Sequence, residues 1–380
     1  MTDAPAAREP AAPAPDMTAR ARLDLLVTGP VFFDLVFTGL PHGPVPGTEI
    51  WAGGMGAAPG GIANLAVGAA RLGLDTGLAA AFGDDAYADW LWTVLGRQEG
   101  VDLSASRRYR HWHTSVTVSL ALDDDRAMVS HGHDAPEPVG TLVGDAPPAR
   151  AAVAELGEPG SDPWWQQLAS SGTLVFADAG WDPHESWDRA RLDLLAGCHA
   201  FTPNAAEAMA YTRTETPGAA ARALAAHVPL AVVTMGADGA LAVDAATGEE
   251  VQTEPLRVQA LDATGAGDVF AAALVTGTLQ DWSLERRLRF AVLCSALAVR
   301  HFGGSLAAPG WGDIADWWEE TVAAARTGDR AARDTAARYE FLDDAIPGHP
   351  LARVRRADAT IARFSDAGPG GTGPAPTVRT

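Results

Sequence analysis

The segment LDATGAGDVFAAALVTG at 261–277 holds the residues best placed to do chemistry. Gly265, Ala266 and Gly267 run into Asp268, and an Ala-rich helical stretch begins there. Small residues let the backbone approach a ligand closely. N–H groups at a helix start lack intrahelical partners and, with the helix dipole, form an anion site. Asp268 in the first turn could take a proton from a hydroxyl while those N–H groups hold developing phosphoryl charge. Positioning plus charge stabilisation is what phosphoryl transfer needs, and general-base assistance contributes ~10²–10⁴ in rate. A bare GxGD by itself is more often a plain helix start with a stabilising Asp.

The elements around this segment must bring it to a partner surface. Residues 23–29 (LDLLVTG) read as a buried first strand. Residues 31–52 are broken by turn residues, and the Gly-rich 53–61 (GGMGAAPGG) opens a helical stretch. Residues 78–82, 173–177, 199–202, 230–234 and 240–244 read as further strands, with helical segments among them. Strands alternating with helices imply an α/β fold with a mainly parallel sheet covered on both faces. TSVTVSLAL, the turn DDD and RAMVSHG form an antiparallel hairpin from 114. The hairpin and 31–52 break the alternating rhythm and read as a small β appendage over one edge of the site. Residues 135–165 show no clear pattern; 313–345 could be helical, and 366–380 read as disordered.

Composition narrows the chemistry. The chain has 380 residues, 47% of them hydrophobic, with no apolar run near the ~18 residues that cross a bilayer. The first sixteen residues lack an apolar core and read as a disordered leader. Cys198 and Cys294 form no spaced pair, which suggests a reducing, cytoplasmic setting without disulfide or zinc. Net charge is −20, so neither nucleic acid nor an anionic membrane is an expected partner. Lysine is absent. That removes Walker P-loops, protein kinases and Schiff-base chemistry, each of which needs a Lys. Arg-favouring codon bias explains the absence without restoring the chemistry. Phosphate handling would then fall to Arg, backbone N–H groups, helix dipoles and Mg²⁺.

Asp262 through Asp268 resembles the D-T-x-G-A-G-D signature of the ribokinase-like, or PfkB, carbohydrate kinases, with Ala263 in place of the usual Thr. The resemblance extends over roughly 23–312. Asp34 in PVFFDLVF matches the family's sugar-binding Asp. PGGIANLAVGAARLGL at 59–74 is similar to its other signature and places Gly60, Gly61 and Asn64 against the substrate. TPNAAEA at 202–208 matches N-x-x-E, implying Asn204 and Glu207 beside the Mg²⁺–phosphate group, with Glu207 acting through water. VVTMGADGALA at 232–242 matches T-x-G-x-x-G, giving Thr234, Gly236 and Gly239 as nucleotide-loop residues. FGDDAYADWL at 82–91 and EGVD at 99–102 resemble two further family stretches. Each segment alone reads equally well as a linker, a capping box or a turn; their joint order carries the resemblance.

The resemblance implies a ribokinase-like three-layer α/β sandwich with a small β lid. Its expected boundaries are a leader at 1–22, a kinase domain at 23–312 with a lid from about 31–52 and 107–134, and a C-terminal extension at 313–380. Asp268 would be the base, Gly265–Gly267 the anion hole, ATP and Mg²⁺ the cofactors, and a primary alcohol of a sugar the acceptor. A nucleoside kinase of the adenosine type and a catalytically silent binding protein stay open as alternatives, whereas an NAD enzyme fails for want of GxGxxG after the first strand. Monovalent-cation dependence is undecided, because Ala307 stands where Ser often sits. A homodimer through the lid is equally undecided, and Arg126 is one guess for the arginine that neutralises the phosphoryl group. The i, i+2 pairs His111/His113 and His131/His133 read as surface hairpin rather than metal ligands. Trp51, Trp112 and Trp181 are candidates for stacking on a sugar or base, while Trp317 and Trp318 are expected to pack a C-terminal helix.

Overall fold

The computed structural model describes residues 22–122, 125–157, 163–178 and 186–348, with backbone only at 125 and 126. The expected leader at 1–16, the tail at 366–380, part of the DDD turn, Trp181 and the side chain of Arg126 lie outside the described residues. The strands, in chain order, are β1 (Leu23–Thr28), β2 (Val31–Thr38), β3 (Gly54–Gly61), β4 (Thr76–Ala79), β5 (Ala81–Phe82), β6 (Arg107–Arg108), β7 (Ser115–Leu122), β8 (Asp125–His131), β9 (Ala149–Glu155), β10 (Leu174–Asp178), β11 (Ala200–Phe201), β12 (Leu230–Thr234), β13 (Ala240–Asp244) and β14 (Glu250–Thr253).

Eight strands form the main sheet in the order β14-β13-β12-β11-β10-β9-β1-β4. Pairs from β4 to β12 are parallel, and β12–β13–β14 are antiparallel. Successive strand residues face opposite sides, and the core divides accordingly. Phe176, Val153 and Val232 join the cluster under helices Ala63–Arg71, Ala266–Leu279 and Leu284–Ala298. Their chain neighbours Ala177, Ala154 and Val233 join the cluster under helices Trp164–Ser170, Ala205–Thr212 and Pro217–Leu224. The result is the three-layer α/β sandwich implied by the sequence.

A separate four-stranded sheet, β3-β2-β7-β8, forms the lid. Its β7–β8 pair is the expected hairpin. Two elements differ from the sequence reading. The Gly-rich 53–61 does lead into a helix, Ala63–Arg71, but most of it is itself strand β3, paired along its whole length with β2. β3 lies at the sheet edge, where Pro59 is tolerated because no neighbouring strand needs its N–H. The tract 135–165 contains β9, a central strand between β1 and β10. Its run ARAAVAE lacks the β-branched pattern that marks strands, because Ala packs where helices lie close on both faces.

Helices Trp311–Arg326, Arg330–Tyr339 and Leu342–Ala345 follow the sandwich and pack on it. Tyr339 and Leu342 are fully buried, and the indole N–H of Trp318 donates to Asp343 Oδ1 at 2.7 Å. Cys198 and Cys294 are both free and buried, one in each core cluster.

Candidate active site

The helix Ala266–Leu279 begins at Gly265, whose φ of 73° is left-handed and which has no side-chain cap. A Cβ there would lie 3.0 Å from Asn64 Cγ and 3.2 Å from Gly304 Cα, so the turn needs glycine on both counts. A Cβ on Gly267 would meet nothing within 4 Å, leaving open space over the helix start. The Ala266 N–H is turned to Ala263 O at 3.2 Å. Asp268 stands in the first turn, and Asn64 Nδ2 donates to its Oδ2 at 3.1 Å. Asn64 is buried on helix Ala63–Arg71, and its Oδ1 has no hydrogen-bond partner. Burial pushes the Asp268 carboxyl up to about 7; the charge of Asp178 adds to this and the Asn64 bond opposes it.

The loop before the helix is anchored by Asp262. Its Oδ1 accepts from the Thr264 N–H at 2.9 Å and hydroxyl at 2.6 Å, and its Oδ2 accepts from the Gly303 N–H at 3.0 Å.

From the lid, β2 carries Asp34 opposite Ala58 of β3. Its carboxylate lies against the Gly60 backbone, where a Cβ would come within 2.0 Å of Oδ2. Gly61, at φ 61°, turns the chain into helix Ala63–Arg71, and a Cβ there would be 2.3 Å from Pro30 O. Burial, then the charge of Asp262, raises Asp34 to about 7. Asp34, Gly60, Gly61, Asn64 and Asp268 thus gather where the lid meets the helix start.

Across the C-terminal ends of the strands, Asn204 and Glu207 form a reciprocal capping box: the Asn204 N–H donates to Glu207 Oε2 at 2.9 Å and the Glu207 N–H to Asn204 Oδ1 at 3.0 Å. Asn204 bridges to Thr234 at the end of β12. Gly236 and Gly239 have φ of 55° and 88° and turn β12 into β13; a Cβ on Gly239 would strike Thr253 O at 2.1 Å. Burial, then the charge of Asp178, raises the Glu207 carboxyl, while its bonds to Asn204 oppose the shift.

Two acids were not singled out in the sequence. Asp178 ends β10 and Glu155 ends β9, on neighbouring parallel strands. The charge of Asp178 reaches Asp268, Glu207 and Glu155. The one signal was position: in open parallel sheets, ligands sit beyond the carboxyl ends of the strands.

The other candidates stay outside this group. His113, His131 and His133 are exposed, with ring centroids 5.7 and 5.0 Å apart along the series His113–His133–His131. Among the described residues no group of three His, Cys, Asp or Glu could hold a metal ion. Trp51 is 81% exposed in the lid. Trp317 and Trp318 pack the C-terminal helix as expected.

The residues present fit a metal–nucleotide. Mg²⁺ keeps most of its waters and is held by one or two carboxylates plus substrate phosphates, so a three-ligand protein cage is not required. Asp178 and Glu207 are the carboxylates among the described residues that would hold it. The space over Gly267 and the helix start suits the phosphates.

The pfkB family carbohydrate kinase model matches residues 25–310. A fructokinase from Klebsiella pneumoniae is 31% identical over 285 residues, 66% of this chain and 89% of that protein. An ATP-dependent ribose-1-phosphate kinase from Halopiger xanaduensis is 28% identical over 263 residues, 64% of this chain and 81% of that protein. A ribokinase-type protein from E. coli, solved with ATP and Mg²⁺, superposes with a TM-score of 0.67 at 19% identity, over 78% of this chain and 99% of that one.

Proposed function

The chain belongs to the pfkB family of carbohydrate kinases, and from that premise we propose that it transfers the γ-phosphoryl group of ATP to a primary hydroxyl of a sugar-type acceptor. The observation that carries this is a carboxylate, Asp268, held by Asn64 in the first turn of a helix whose start opens onto free space. Asp268 accepts the proton of the acceptor hydroxyl. The oxygen attacks the γ-phosphorus, the bond to the β,γ-bridging oxygen breaks, and the products are the phosphorylated acceptor and ADP. The helix N-terminus, through the Gly265 and Gly267 N–H groups and not the Ala266 N–H that Ala263 O takes, holds the charge that develops on the transferred group. Glu207 and Asp178 would hold Mg²⁺, which would supply neutralisation of phosphate charge. Asp34 binds and orients the acceptor from the lid, with Gly60 and Gly61 letting it lie close. Thr234, Gly236 and Gly239 form the floor for the nucleotide. Lid closure excludes water and limits futile hydrolysis.

The raised carboxyl supports the assignment, since a general base works best with a pKa near the operating pH. In this reading residues 23–312 are the kinase unit, working in the cytoplasm. The names of the related sugar kinases and the neighbour's ATP and Mg²⁺ are consistent with it. The test is a coupled ADP-release assay over sugars and nucleosides with wild type and Asp268→Asn. Turnover should fall by about 10²–10⁴ or more, with ATP affinity changed by less than about threefold, well under the tenfold that 1.4 kcal/mol represents. Equal kcat in the two proteins would remove Asp268 from the mechanism.

A further inference from the structure

The acceptor side continues past Asp34. A cavity of about 620 Å³ opens where β1, β4 and β9 end, at Thr28, Ala79 and Glu155. Pro30 joins it to the site: its carbonyl accepts from the Ile62 N–H at 3.1 Å and crowds Gly61. The volume is that of a pocket for a drug-sized ligand, and a free pentose or hexose would leave most of it empty.

Its walls are mainly apolar and aromatic. Trp112 on the lid side and Trp164 on the helix Trp164–Ser170 are half-buried and line it, as do Pro138, Val139 and Leu142. The Trp112 indole is held in place by its N–H, which donates to Asp134 O at 3.1 Å. Such faces suit a flat conjugated ring. Ser115, His133 and Glu155 offer hydrogen-bonding groups around them.

The charge is wrong for a phosphorylated acceptor. Asp134 and Glu155 line the cavity, and the charge of Asp178, at the end of the neighbouring strand, reaches Glu155. Arg191 is the one Arg among the described lining residues. It donates to the Tyr211 hydroxyl at 3.1 Å, and its charge is already set against Glu155. A phosphomonoester there would meet two carboxylates and, among the described lining residues, no uncommitted guanidinium, which is how a site rejects a wrong ligand.

We propose that the acceptor is a nucleoside: its sugar hydroxyl reaches Asp268, and its uncharged base fills the cavity between Trp112 and Trp164. This rests on the phosphotransfer reading above and narrows it. The experiment is ADP release and isothermal calorimetry with adenosine, inosine, uridine, ribose and ribose 1-phosphate. At least one nucleoside should exceed ribose in kcat/KM by roughly 10-fold or more, the stacking contribution of one base, and ribose 1-phosphate should not be used. Trp112→Ala should raise the nucleoside KM roughly 10-fold more than the ribose KM, and Trp112→Phe, which keeps a stacking face, should recover most of that difference. Preference for ribose 1-phosphate, or a Trp112→Ala effect equal on ribose and nucleoside, overturns the proposal. If no acceptor releases ADP, the phosphotransfer reading fails by itself. Calorimetry then decides the occupant: nucleoside binding that weakens in Trp112→Ala upholds it, and no nucleoside binding overturns it.

Discussion

Asp268 and Asp34 both sit at about pKa 7, chiefly because burial disfavours their charged forms. For activity the sign is direct. A base must be unprotonated, so kcat/KM should fall about tenfold per pH unit below about 7 and level off above it. A steady-state pH profile checks this, and a flat profile from pH 5 to 8 would count against Asp268. For stability the sign reverses. Each folded-state pKa lies above the ordinary 3.8, so the native state holds the proton more tightly. Both groups therefore weaken folding as pH rises from about 4 to about 7, and the penalty is complete above that. Asp268→Asn should raise Tm at pH 8 and change it less at pH 5, as two calorimetric scans would reveal. A site that is less stable than its neutral variant is the common cost of function. At this scale the sequence was readable where one short segment contains the whole device: Asp268 and its glycines are adjacent in the chain. Asp178 and Glu155 were not readable, since a lone acid at a strand end acquires meaning only from which strands are neighbours.

Elements hold these residues through close approaches that side chains would block. Gly60→Ala would drive a Cβ into the Asp34 carboxyl. The expected result is a rise in acceptor KM of roughly tenfold or more, the equivalent of about 1.4 kcal/mol, with ATP affinity little altered; an unchanged KM would detach Asp34 from the acceptor. Arg71 is another fixed point. It pairs with Glu99 at 2.8 Å, with both side chains under 10% exposed, and donates to Leu306 O and Ala308 O at 3.0 and 2.7 Å. It thereby ties the Asn64 helix to the loop that also carries Gly303 and Gly304. Removing one partner of a buried pair leaves the other uncompensated, so Arg71→Met should cost about 3–5 kcal/mol in a denaturant titration. Elements with a clear period were legible, such as β1, β12 and the β7–β8 hairpin. β3 and β9 were hidden because Gly and Ala erase the pattern, and they are small for the same structural reason: something must come close to them.

For the molecule as a whole, the family match stops at 310 while packing does not. Tyr339, Phe341 and Leu342 enter the same core as Phe290 and Cys294. Ending the chain after Arg326 should therefore strip several buried large side chains, each worth about 2–5 kcal/mol on truncation, and lower Tm by more than about 10 °C at roughly 2–4 °C per kcal/mol. An unchanged Tm would make those helices dispensable to the sandwich. The sequence suggested helices over 313–345 but gave no purpose for them, because their apolar residues are spaced to meet a surface that only the finished sandwich presents.

The two core cysteines lie on opposite sides of the main sheet, and burial pushes the Cys198 thiol up to about 12 and the Cys294 thiol up as well. Neither thiol should react with an alkylating reagent until its own layer opens. Mass spectrometry of each modified peptide over time would then time the breathing of each half of the protein separately, with no probe engineered in.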